Sequence, residues 1–167
     1  MAELTPSERL QPSLLDRLTD DAPAERSESR DQRVLTAQRL RAALLRDLAW
    51  LLNTGHLETV EDLEDYPEAR RSVVNYGIPD LTGLTIAGAD TAQIEKAVRQ
   101  AIADFEPRIS PQSLRVTAET GEDGGVRNAL VFRIDGELWA KPAPQALCLK
   151  TQVDLETGDV TVTEGRS

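Results

Sequence analysis

The hydrophobic period of the chain changes once, across Pro107–Pro111, and this change limits the fold more than any other feature. Before it, apolar residues recur with helical spacing. Val34, Ala37, Leu40, Leu44, Leu45, Leu48, Leu51 and Leu52 share one arc of a helical wheel, and Ile94, Ala97, Val98, Ala101, Ile102 and Phe105 keep i, i+3, i+4 spacing. After it, apolar and polar residues alternate: Leu114, Val116, Ala118; then Val126, Leu130, Phe132, Ile134, Leu138; then Leu147, Leu149, Val153, Leu155. A turn at Glu156-Thr157-Gly158-Asp159 leads to a short last strand, Val160 to Thr163. Consecutive strands on short turns pair antiparallel with one buried face. The spacing therefore predicts an α+β fold, with an N-terminal arm and helices packed on an antiparallel β-meander sheet.

Within the helical half, the first long helix is expected from about Gln32 to Asn53, ending at Gly55. A shorter one runs from Pro67 through Asn75, with proline in its first turn. The third starts at Asp90 and Gln93 in a capping-box-like arrangement and stops before Pro107. Two residues break the first pattern. Arg41 lies inside the apolar arc, either snorkelling or forming an internal ion pair; Trp50 lies opposite, beside Arg39 and Arg46, either covering a minor cluster or touching a partner.

Residues 1–31 mix Pro, Ser, Asp, Glu and Arg with few apolar side chains, so they are expected to form a flexible arm ahead of one α+β domain at 32–163. Within the arm, residues 12–18 place Leu14, Leu15 and Leu18 behind Ser13 as N-cap. This short amphipathic segment is suited to docking on its own domain or on a partner.

Charge is uneven. Residues 34–54 carry Arg39, Arg41 and Arg46 against Asp47, whereas residues 55–95 carry nine acids against Arg70 and Arg71. The overall charge of −10 offers no sequence-independent grip on nucleic acid or anionic lipid. With one cysteine, Cys148, and one histidine, His56, neither an internal disulfide nor a zinc cluster is expected. No signal-peptide pattern opens the chain and no apolar run nears the roughly 18 residues needed to cross a bilayer, so a cytoplasmic location is expected.

Catalytic signatures are scarce. There is no Gly-rich phosphate loop, GxSxG elbow or His-paired cysteine. His56 reads as a solvated loop residue and Cys148 as a bystander on the polar phase of its strand, with only Lys150 as a basic neighbour. Two carboxylates suffice for glycoside hydrolysis, but 29 acidic residues make such a pair uninformative. No enzyme activity, cofactor or metal is expected. Glu106-Pro107-Arg108 is more informative, because a rigid proline holds a carboxylate and a guanidinium where helix gives way to sheet. On composition alone it reads as an exposed helix-end pair worth under about 1 kcal/mol.

Four segments occur in a specific order: Leu51-Leu52-Asn53-Thr54, Tyr66-Pro67, Ser72 to Asp80 (SVVNYGIPD) and Phe105-Glu106-Pro107-Arg108-Ile109. Together they resemble the baseplate wedge family of contractile phage tails, historically labelled lysozyme-like. Residues 12–18, Leu138 to Pro144 and Thr151 to Gly158 narrow the resemblance to its TssE branch, found in bacterial type VI secretion systems. The resemblance implies a non-enzymatic assembly subunit with a fold similar to the interlocking domain of the sheath subunit. It further implies contacts with the wedge subunits TssF, TssG and TssK and with the sheath subunits TssB and TssC. Glu106, Pro107 and Arg108 are then the wedge contact. The edge near Val160 to Thr163, through Val160, Thr161 and Val162, or else the Leu147 to Leu155 strand beside it, is expected to accept a sheath arm, since a short last strand leaves backbone groups unpaired. One departure is visible: an arginine commonly follows the Leu-Leu-Asn-Thr motif, and here Gly55 and His56 stand there, with Arg70 or Arg71 as substitutes. The old label suggests a competing function, a peptidoglycan-cleaving muramidase. A stand-alone peptide-binding adaptor is the third reading.

Overall fold

The alternating half of the chain forms a four-stranded antiparallel sheet in the order β1 (Arg115–Glu119), β2 (Ala129–Leu138), β3 (Gln145–Asp154) and β4 (Val160–Glu164). The computed structural model describes residues 13–19, 37–82, 91–119, 129–139 and 144–165. Ahead of the sheet come α1 (Leu14–Leu18), α2 (Ala37–Leu52), α3 (Pro67–Arg70) and α4 (Thr91–Phe105), with 3-10 turns at Leu57–Thr59 and Val73–Asn75. The fold is thus α+β, helices first and a meander second. Residues 1–12 and 20–36, with the expected first turns of the long helix, lie outside the described residues, as do Asp90 and Val126.

Alternation puts Leu130, Phe132, Ile134, Leu138, Leu147, Leu149, Thr151 and Val153 on one buried face. Leu40, Leu44, Leu48, Leu51 and Leu52 of α2 and Ile94, Val98, Ala101 and Ile102 of α4 close over it in one continuous cluster. α2 packs against β4 and α4 against β1, so each helix flanks one edge of the sheet. The buried polar Thr151 is satisfied, its hydroxyl donating to the Phe132 carbonyl (3.2 Å).

Two expectations need correction. The helix expected from Pro67 through Asn75 breaks at Arg71: Ser72 accepts from the Val74 N–H and opens a separate 3-10 turn, a start that a helix interior does not offer. Gly55 does not end α2 in a left-handed conformation. The end is made by side chains instead, with Asn53 Nδ2 donating to Ala49 O (2.7 Å) and Thr54 Oγ1 to Trp50 O (2.7 Å).

Candidate functional site

The end of α2 and the loop at Asn75–Ile78 meet backbone to backbone. Ile78 N donates to Thr54 O (2.9 Å) and His56 N to Ile78 O (3.1 Å), a short parallel bridge. Gly77, at φ +132°, lies against this bridge, where a Cβ would sit 2.3 Å from Thr54 O. Buried Asn75 ties the loop down, accepting from Glu58 N and donating to Arg70 O. Two of the segments that carry the resemblance therefore form one structural unit.

The Glu106-Pro107-Arg108 turn is no exposed helix-end pair, which corrects the reading from composition. Glu106 is only 4% exposed. Arg108 forks between Glu106 and Asp47 of α2, donating to Glu106 Oε1 (2.6 Å), to Glu106 Oε2 and to Asp47 Oδ2 (2.6 Å). Burial opposes its charge, but Glu106 and then Asp47 more than offset this and hold the guanidinium above its ordinary range. Arg46 extends the chain of charges, with Nε on Asp47 (2.9 Å) and Nη1 on Asp16 of α1 (2.8 Å). Beside the cluster, Tyr76 and Phe105 stack edge to face at 5.3 Å. Burial, then Asp47 and Glu106, push the Tyr76 hydroxyl up. A cleft of about 490 Å³ opens here between Trp50, Leu15, Tyr76, Phe105 and Pro107.

The two sheet edges differ. At β4, Asn53 Oδ1 accepts from Val160 N–H (2.8 Å) and its Nδ2 donates to Val160 O (2.8 Å). Both backbone groups of Val160 thus point away from β3, and alternation in an antiparallel ladder turns those of Val162 and Glu164 the same way. Gly165 N donating to Cys148 O (2.9 Å) fits this phase, which directs Thr161, Thr163 and Gly165 inward to β3. Among the described residues nothing bonds the outward groups of Val162 and Glu164. Of the expected edge residues, Val160 is already engaged and Thr161 faces β3, so the open stretch is Val162 and Glu164. At β1, α4 lies across the edge: Glu95 accepts from Ala118 N–H (2.6 Å) and Arg99 Nε donates to Leu114 O (3.1 Å).

Other expected residues fall as follows. Ser13 caps α1 as expected, accepting from Asp16 N. Leu14, Leu15 and Leu18 remain exposed, so α1 meets α2 through Asp16 and Arg46 rather than through its leucines. Trp50 is 51% exposed with the Arg46 guanidinium 5.1 Å from its ring centre. Arg41 reaches the Ala146 carbonyl (3.1 Å). His56 is half-buried rather than solvated: Nδ1 has no partner among the described residues, and burial, helped by Arg70, lowers its pKa from 6.5. Cys148 is opposite Asp135, and burial with Asp135 raises its pKa, while Arg133 is a basic neighbour additional to Lys150. For the arginine absent after Thr54, Arg70 pairs with Glu58 (2.6 Å) and Arg71 with Asp104 (3.5 Å). Among the described residues no cluster of metal-ligating side chains occurs, and no helix is long and apolar enough to cross a membrane.

Asp47, Asn53, Glu95 and Arg99 carry these arrangements without having been singled out by role. Asp47 was the most accessible of them to sequence reasoning, as the lone acid among three arginines in residues 34–54.

No curated protein and no solved structure matches the chain. Residues 38–143 match the family described as baseplate wedge protein gp25. That span holds α2 but for its first residue, α4, the Asn53–Val160 staple's helical half and the whole Arg108 cluster except α1. More than half of its length being matched, the chain belongs to the gp25 baseplate wedge family.

Proposed function

We propose that this wedge-family chain is the TssE-type baseplate subunit of a type VI secretion system, working in the cytoplasm and helping to start sheath polymerisation. Its partners on this reading are the wedge subunits TssF, TssG and TssK and the sheath subunits TssB and TssC. The observation that carries it is the open stretch of β4. Two outward-facing residues, Val162 and Glu164, offer donors and acceptors to an extended arm, while β1 at the other end of the sheet is crossed by α4. Residues 32–163 act as the assembly domain and residues 1–31 as its arm.

The wedge contact lies at the cleft beside Glu106, Pro107 and Arg108. Exposed Trp50 and the Leu14, Leu15 and Leu18 stripe supply apolar contact area, and the internal charge cluster holds the turn rigid beneath them. Among the described residues, the carboxylates lining this cleft are all held in ion pairs. Asp47 and Glu106, the carboxylates that the fold brings together, are both engaged by Arg108.

Val162→Pro tests the edge. It removes an outward donor and no inward ladder bond, so the protein should fold and join baseplates while cells assemble few sheaths. Normal sheath numbers with intact protein would overturn the assignment. Purified protein should also leave cell-wall substrate intact; turnover lost on changing one Glu or Asp to its amide would contradict a purely structural role.

A further inference from the structure

Asn53 does more than end a helix. Its amide presents one acceptor and one donor to a single residue of β4, Val160, as a residue on a neighbouring strand would. Its Nδ2 also bonds Ala49 O, and its own backbone N–H bonds the same carbonyl (3.1 Å), so the side chain is anchored on α2 and cannot follow an incoming strand. We propose that Asn53 is a register stop, occupying the ladder site at Val160 so that an added strand pairs only from Val162 onward. The inference rests on strand addition at β4 and deepens it by naming the residue that sets the alignment. Outward groups recur every second residue of β4, so the shift that Asn53 prevents is one of two residues, which would carry an added strand past Val162 to Val160. The fitting partner is an extended segment with an apolar side chain beside half-buried Val162 and polar ones beside exposed Thr161 and Thr163.

The test is residue-resolved amide exchange on the full chain, alone and with the TssB–TssC sheath complex, for the native protein, Asn53→Ala and Asn53→Ser. The serine side chain keeps a polar group at the helix end but is too short to hold both Val160 atoms, and it serves if the alanine variant does not fold. In the free native chain the Val160 amide should exchange slowly and Val162 fast. In the variants Val160 should exchange roughly tenfold faster, the factor corresponding to one hydrogen bond of ordinary net strength. On adding sheath complex, native protein should gain protection at Val162 and Glu164, and the variants should gain it at Val160 as well. If the variants gain protection at Val162 and not at Val160, strand addition stands and the register stop is overturned. If native protein gains none at Val162 and Glu164, the edge reading fails, and the register stop with it.

Discussion

β1 and β4 are both five-residue edge strands of one sheet, and they are finished differently. α4 lies along β1 and bonds it at two points, Ala118 N–H and Leu114 O, with a carboxylate and a guanidinium one helical turn apart. At β4 a single neutral amide holds one residue, and among the described residues nothing bonds the next two outward positions. Edge strands invite pairing with other chains, and proteins ordinarily blunt them. One edge is bonded by charged side chains of a helix and the other is held at one end by a neutral amide, and the function proposed above places strand addition at the second.

The largest effect should come from the turn that seats the shielded edge. Arg108→Ala leaves Glu106 and Asp47 facing each other without their shared cation, at an expected cost of about 3–5 kcal/mol, read as a lowered melting temperature. Co-purification with wedge subunits, measured where the variant is still folded, separates this structural role from a direct contact. Unchanged capture would assign Arg108 to the fold alone and leave the wedge contact to the cleft's exposed side chains.

On the open side, Gly77→Ala drives a Cβ into Thr54 O, next to Asn53, and forces an L residue to hold φ +132°. A loss above about 1 kcal/mol is expected in denaturant unfolding, together with faster exchange at Val160. Glu95→Ala should cost about 1–2 kcal/mol by leaving the Ala118 N–H without its acceptor. It should also make β1 resemble β4, so light scattering should show more self-association than in the native protein. No change in association would mean that the bulk of α4, and not Glu95, shields that edge.

The smallest effect concerns pH. His56 has its pKa lowered on folding, chiefly by burial, so the unfolded chain binds the proton first as pH falls. The associated stability is complete above the ordinary value of 6.5 and is lost as pH falls through the lower folded value. Melting temperature should therefore decline between pH 7.5 and 5.5, and His56→Gln should flatten that slope.

Period alone located α4, the four strands and the meander, because burial on one face of a helix or sheet leaves a repeat in the sequence. The same rule could not see where α3 stops, since a serine that starts a new turn looks like any polar residue of a helix. Nor could it rank Glu106-Pro107-Arg108. Whether that pair is exposed depends on Asp47, which lies 61 positions from Arg108. The open edge was expected at Val160, Thr161 and Val162, and the phase of its outward groups follows from long-range bonds, the Asn53 staple spanning 107 positions and the Gly165–Cys148 pairing. Local chemistry was legible; long-range pairing of polar groups was not.

The difference between the edges is most directly measured by comparing amide exchange at Val162 and Glu164 with that at Ala118 in the full chain, before and after addition of sheath complex. Slowing at Val162 and Glu164, with Ala118 unchanged, is the expected result. Slowing at Ala118, or no change at Val162 and Glu164 in a complex that has formed, would contradict strand addition at β4.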